Sequence, residues 1–353
     1  MLECLPAPES PTFSPMHQVP MDASSSSPVT STTTINLSRV YSTAVLQTKS
    51  FKEMLRITSS MDLAAAAAAD HDQAQDFSGM LTQVLRPDRD RVLNALHRSK
   101  STSTSLSNLI SSYFDYSEKT TRLCLTLRRI VAEARRLYCP IHTLLHDLPI
   151  DSLSQPDCDL VFQEFLKFND DANPFPHPDS QTFHPIRDHF CDLKRQLERR
   201  LRKSSSRIRL VHPPNPNPNT VLCCGGGAAI TAYIPPKFAR RELAFAAQLK
   251  VASRNTYVLK TDLDTLDSLV GRLHNTVEDD KRFIRLGLNM GKDQHTVQEV
   301  LKQLGKNHQN LGHYLDLLEQ KITTCFITVN HSRSQLLKEI LLHQTSSDSS
   351  HSQ

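Results

Sequence analysis

Three long segments of this chain repeat apolar residues in alternating steps of three and four, and little else can satisfy that pattern except long helices packed side by side. The first runs Leu106, Leu109, Tyr113, Tyr116, Thr120, Leu123, Leu127, Ile130, Ala134, Leu137, Ile141, Leu144, Leu148. Pro140 falls inside it and predicts a kink or break near residue 139, because proline removes a helix donor and clashes with the preceding turn. The second places Leu263, Val270, Val277 and Ile284 on one heptad position and Leu259, Leu266 and Leu273 on the other. The third runs Val297, Leu301, Leu304, His308, Leu311, Leu315, Leu318, Ile322, Cys325, Val329, Ser332, Leu336. Between the second and third lies "GLNMGKDQ", where Gly287 and Gly291 suit a helix C-cap and turn and Asp293 suits an N-cap. So short a connection makes the two helices antiparallel neighbours, an intramolecular hairpin. The same seam in an intermolecular coiled coil, and hence a homo-oligomer, is the sharper alternative.

Composition agrees with an all-α chain: there are only 9 Gly and no Trp. Further helices are predicted over about 37–58, carrying Leu37, Tyr41, Val45 and Leu55 on one face, and over about 181–203, from Phe183, Ile186, Phe190, Leu193, Leu197 and Leu201. Shorter candidates cover 81–97 and 159–168. The stretches "NPFPHPDS" and "HPPNPNPN" break the chain. Residues 1–36, with six prolines and a serine run, and the tail 344–353 hold too little apolar surface to offset ordering entropy and read as disordered. The tract Ala64–Ala69 is a fraying helix end or a linker. The expected architecture is an elongated bundle of long antiparallel helices: an N-terminal helical region 37–209, a Pro/Asn/Gly-rich segment 210–236, and a C-terminal helical hairpin 237–343.

The segment between those halves raises the question of a membrane. "VLCCGGGAAITAYI", Val221–Ile234, is apolar and uncharged, but a helix over its 14 residues would reach about 21 Å of the ~30 Å hydrocarbon core. Three consecutive glycines weaken it further. Its upstream flank is dense in cations: Lys194, Arg195, Arg199, Arg200, Arg202, Lys203, Arg207 and Arg209 face only Glu198, and Lys237, Arg240 and Arg241 follow downstream. Basic residues on both sides place both ends on the cytoplasmic face. Such a run, Arg199, Arg200, Arg202, Lys203, Arg207 and Arg209 above all, attracts anionic lipid. Cys223 and Cys224 beside it suit S-acylation, so that one chain plus a basic patch would make a two-signal anchor. The other reading, a solvated helix face beside an incidental cysteine pair, stays open. The eight cysteines show no CxxC spacing, and the N-terminus lacks the charge and apolar pattern of a secretory signal, which together predict a reduced, intracellular protein.

No reaction is written in the chain. "GLNMGKD" lacks the spacing and the Ser/Thr of a phosphate-binding loop. His142 and His146 share a helix face, but nothing completes a metal site, and they sit outward. Asp262, Asp264 and Asp267 lack the glycine and distal glutamate of a calcium loop, and the latter two are expected on a solvated face. Asp280 and His308 interrupt apolar seams, and in an antiparallel hairpin they are predicted to approach each other. The net charge of +4 is modest, and the basic run has no interleaved aromatics, which argues against nucleic acid. The expectation is a non-enzyme without cofactor, metal or small-molecule substrate.

"NTYVLKTDLDTLDSLVGRL", with "AYIPPKFARRELAFAAQLKVASR", "VQEVLKQLGKNHQNLGHYLDLLEQKITTCFITVNHSRSQLLKEI", "INLSRVYSTAVLQTKSFKEML" and "RLRKSSSRIRLV", resembles a plant family of unknown function. It is uncharacterised protein family 0496, also called domain of unknown function 677, which includes relatives of the plant integrin-like proteins. The likeness covers most of 35–343. It implies a helical, membrane-associated protein of the cytoplasmic side, linked to plasma membrane and cytoskeleton, with no established catalytic residues. Similar proteins carry a long hydrophobic stretch between "RLRKSSSRIRLV" and "YIPPKF", and this chain departs there. The expected function is a membrane-associated scaffold or linker. The alternative is a soluble coiled-coil adaptor that binds a protein partner through 259–336.

Overall fold

A computed structural model of the chain describes residues 81, 84–87, 89–98, 104–211 and 236–348, with 52, 54 and 56 before them. All lie in one unit, Ser42–Gln353. Residues 1–36, the Ala64–Ala69 tract, most of the 37–58 helix, the 212–235 stretch with Cys223 and Cys224, and 349–353 fall outside the described residues, whereas 344–348, expected in a disordered tail, continue the last helix. The described segments are helical, without strands: α1 (Arg89–Arg98), α2 (Thr104–Asp147), α3 (Gln155–Asp170), α4 (His184–Val211), α5 (Pro236–Met290) and α6 (Gln294–Asp348), with a 3₁₀ turn at Ile150–Ser152.

Local chemistry sets the helix ends. Ser154 caps α3: its hydroxyl accepts from Asp157 N–H, while the Asp157 side chain accepts from Ser154 N–H at 2.9 Å, a reciprocal capping box. Asp293 caps α6, accepting from Thr296 N–H at 3.2 Å. Gly291, with φ of 94°, ends α5 in the left-handed conformation that favours glycine. Gly287, expected at that cap, instead lies inside α5, where it serves a close approach: a Cβ there would meet Val300 Cγ2 of α6 at 2.8 Å. The break expected at Pro140 is also absent, and α2 runs through it. Proline inside a helix costs about 3 kcal/mol. Buried Tyr138, Ile141 and Leu144 on either side hold the helix on its partners and outweigh that cost.

The topology follows from which residues meet. Along α4 and α5, Arg187 meets Asp267 and Ser204 meets Glu242, so the two are antiparallel. Along α5 and α6, Asn255 meets Ser332 and Asp280 meets Asn307, again antiparallel. Along α2 and α6, Ser117 meets Arg333 and Arg135 meets Asp316. Helices α2 and α4 meet at Ser105 with Arg200. The result is an up-down-up-down bundle of α2, α4, α5 and α6. Helix α4 is shorter than its neighbours, at 28 residues against 44 and 55. Helix α3 and the 171–183 connection continue its wall: Lys281 Nζ of α5 donates to the carbonyls of Asn169 and Asp171, and Asn173 donates to Glu278 at 2.9 Å.

All the described helices share one apolar core. Every seam residue of the hairpin is inside it: Leu259, Leu263, Leu266, Val270, Leu273, Val277, Ile284, Leu301, Leu304, Leu311, Leu315, Leu318, Ile322 and Val329 are each at most 4% exposed. The seam is therefore satisfied within the chain. Helix α2 buries more than its predicted stripe, adding Ile110, Phe114, Cys124, Val131 and Tyr138, because it faces both α4 and α6.

Candidate functional site

One end of the bundle concentrates charge. Helix α4 turns a single stripe inward, Phe190, Leu193 and Leu197 buried and Leu201 partly so. The basic residues between those positions face outward for the same geometric reason. Arg195, Arg199, Arg200, Arg202, Lys203 and Arg207 are exposed. Their local partners are few. Arg195 pairs with Asp192, and Lys194 with Glu198 at 3.7 Å. Arg199 Nε donates to the Arg195 carbonyl at 3.3 Å, and Arg200 donates to the neutral Ser105 hydroxyl. Arg202 and Lys203 pair with no acid among the described residues. The Arg209 side chain lies outside the described residues.

The first turns of α5 lie against this end. Glu242, 5% exposed, accepts from the Ser204 hydroxyl at 2.9 Å and from Arg207 at 3.2 Å, and so fastens α5 to α4. Around it Arg240, Arg241, Phe238 and Leu243 are exposed, the last two at 42% and 52%. The guanidinium of Arg241 sits 5.2 Å from the Phe245 ring. A surface with protruding apolar side chains among cations can bind a negatively charged, partly apolar layer. Val211 and Pro236, the described residues on either side of Cys223 and Cys224 in the sequence, end and begin their helices here. No helix is long and apolar enough to cross a membrane among the described residues.

A second feature lies between α2 and α6, a cleft of about 280 Å³ lined by Tyr138, Cys139, His142, His308 and Asp316 among others. Asp280 and His308 do not pair across the hairpin as expected. Asp280 accepts from Tyr138 Oη at 2.8 Å and from Asn307 Nδ2 at 2.7 Å, and His308 instead lies beside His142, ring centroids 5.2 Å apart. Burial, helped by His142, pushes the His308 imidazole below its usual range, and its Nδ1 has no hydrogen-bond partner. Burial likewise raises the Asp280 carboxyl, against the pull of its two hydrogen bonds. Among the described residues no three or more His, Cys, Asp or Glu side chains come together as a metal site.

Asp264 and Asp267, expected on a solvated face, face Arg187 of α4 at 3.8 and 2.9 Å, and Asp264 also meets Lys260 at 2.5 Å. They staple two helices. Sequence patterning did not single out Glu242, Phe238 and Leu243. Their one signal was a lone acid in the otherwise basic and apolar "KFARRELAF".

The chain is 41% identical to a UPF0496 protein of Arabidopsis thaliana, over 75% of this chain and 81% of that one. It is 22% identical to a second UPF0496 protein of Arabidopsis thaliana over 82% of this chain and 84% of the relative. It is 23% identical to putative UPF0496 protein 2 of Oryza sativa over 66% and 64%. No family model matches. No solved structure matches.

Proposed function

The chain belongs to the UPF0496 family of plant proteins, and from that membership we propose that it serves as a non-enzymatic, membrane-associated scaffold whose basic end rests on an anionic membrane surface. One observation carries this: the exposed cations of α4, with Arg202 and Lys203 unpaired among described residues, adjoin exposed Phe238 and Leu243. Each basic residue near an anionic surface contributes about 1 kcal/mol, so a cluster of this size gives reversible attachment without a spanning helix. Acylation of Cys223 or Cys224 would add the second signal that stable anchoring needs. The finer part of the proposal is that the scaffold links plasma membrane and cytoskeleton.

The experiment is membrane partitioning of the full-length protein in plant cells, with the pellet washed in high salt, alkaline carbonate and hydroxylamine. Release by salt alone identifies the basic end as the attachment. Retention through salt and carbonate, lost after hydroxylamine, adds the cysteine anchor. A protein wholly in the soluble fraction overturns the proposal.

The second reading is a protein-binding adaptor. It rests on a different surface from the buried 259–336 seam: Phe283, Leu286 and Met290, exposed at 39%, 56% and 65%, fall at helical spacing near the hairpin turn. Replacing all three with lysine would abolish self-association or partner binding on this reading, and leave membrane partitioning unchanged.

A further inference from the structure

We propose that Ser206 is the phosphoacceptor for a basophilic protein kinase, and that its phosphate releases the basic end of the bundle from an anionic surface. The second half rests on the membrane-surface proposal; the first stands without it. The sequence "RRLRKSSSR" offers three consecutive serines beside the basic run, and the structure separates them. Ser204 is 5% exposed and engaged with Glu242. Ser205 is half-buried, and Ser206 is exposed. The Ser206 hydroxyl donates only to the Arg202 carbonyl of its own helix, at 3.0 Å. Helix α4 ends at Val211, within two turns of Ser206. Helix ends open locally at little cost, which lets a kinase take the segment in extended form.

Basic residues on the N-terminal side of a serine are a charge pattern that kinases read. Arg202 and Lys203 stand four and three residues before Ser206, with Arg199 and Arg200 one turn earlier. In the transfer, the Ser206 oxygen bonds to the γ-phosphorus of a nucleoside triphosphate. The bond from that phosphorus to the β–γ bridging oxygen breaks, and the nucleoside diphosphate leaves. The hydroxyl proton passes to the kinase's catalytic carboxylate.

Once made, the phosphate has two consequences for the surface. Side chains at i−4 and i−3 lie on the same helix face, so Arg202 and Lys203 are placed to hold it. Neither of these two cations has an acid partner among the described residues. The phosphate carries about −1.5 to −2 charges, and at the membrane contribution of each basic residue this predicts about a ten- to thirtyfold loss of affinity. It also stands in the C-terminal part of a helix, where the dipole disfavours negative charge and loosens the last turns.

The test uses the full-length protein, a basophilic kinase catalytic subunit with ATP, and vesicles of phosphatidylserine with phosphatidylcholine. Peptide mass mapping is expected to place phosphate on Ser206, and S206A is expected to take up none within 199–209. Sedimentation with vesicles is expected to show the ten- to thirtyfold weakening for the phosphorylated protein, a smaller one for S206E, and none for S206A, with circular dichroism showing the bundle still folded and at most the last turns of α4 lost. Phosphate on Ser204 or Ser205 instead, or none, overturns the assignment. Unchanged vesicle binding after full phosphorylation overturns the release. If unmodified protein ignores phosphatidylserine, the surface proposal fails and the release falls with it, while the mapping still decides the modification site.

Discussion

The Tyr138 hydroxyl of α2 donates to the Asp280 carboxylate of α5 at 2.8 Å, joining two parallel helices through the interior of the bundle. Both residues are buried, at 3% and 1% exposure. Removing the hydroxyl leaves one oxygen of a buried carboxylate without its donor. Tyr138→Phe is expected to cost about 1.5–3 kcal/mol, the range for hydrogen bonds to charged groups. Urea unfolding at neutral pH measures it. A change under about 0.5 kcal/mol would show that water takes the place of the phenol.

Asp262 of α5 sets a pH dependence. Burial pushes its carboxyl up to about 6, against the lowering effects of the Thr328 hydrogen bond and the Lys321 charge on α6. Its folded value exceeds its unfolded one, so its stabilising contribution is complete below the ordinary carboxylate range and is lost as pH rises through about 6. Asp262→Asn removes that titration. Relative to wild type, the variant is expected to gain about 2–3 kcal/mol between pH 4 and pH 7. Denaturant midpoints at several pH values give the slope, and a parallel pair of curves would refute it.

The hairpin's close approach at Gly287 predicts an inversion of ordinary helix propensity. Alanine usually stabilises a helix interior over glycine by about 0.5–1 kcal/mol. At Gly287 the added methyl meets Val300 at 2.8 Å and forces the helices apart, so Gly287→Ala is expected to destabilise by about 1–3 kcal/mol. At Gly312 nothing lies within 4 Å, and Gly312→Ala is expected to stabilise. Thermal unfolding of the two variants should move in opposite directions, and Val300→Ala should rescue the first.

Arg333 holds the segment before α2 onto the bundle. It is 1% exposed, donates to the carbonyls of Pro87 and Phe114 and to the Ser117 hydroxyl, and lies 5.0 Å from the Phe114 ring. Arg333→Met keeps the length of the side chain and removes every donor, leaving the buried Pro87 carbonyl unsatisfied at about 1–3 kcal/mol, while the Phe114 carbonyl keeps the Ser117 hydroxyl. Hydrogen exchange is expected to rise first in 84–98, before α5 and α6 loosen. Uniform loosening of all helices would show that Arg333 supports the core rather than this attachment.

The sequence by itself determined the all-α class, the hairpin with Gly291 and Asp293 at its turn, the stripes that face inward and the family. It did so because apolar periodicity and cap chemistry act over a few residues and leave a direct trace in the chain. Only the tertiary structure decided the rest. It carried α2 through Pro140, put Gly287 under Val300, gave Asp280 to Tyr138 rather than to His308, and turned Asp264 and Asp267 into a clamp for Arg187. It also brought Glu242 to Ser204 and set Phe238 and Leu243 outward. Each of these depends on which helix lies beside which and at what register. That is fixed by burying all the stripes at once, a condition on the whole chain that no single stretch of it contains.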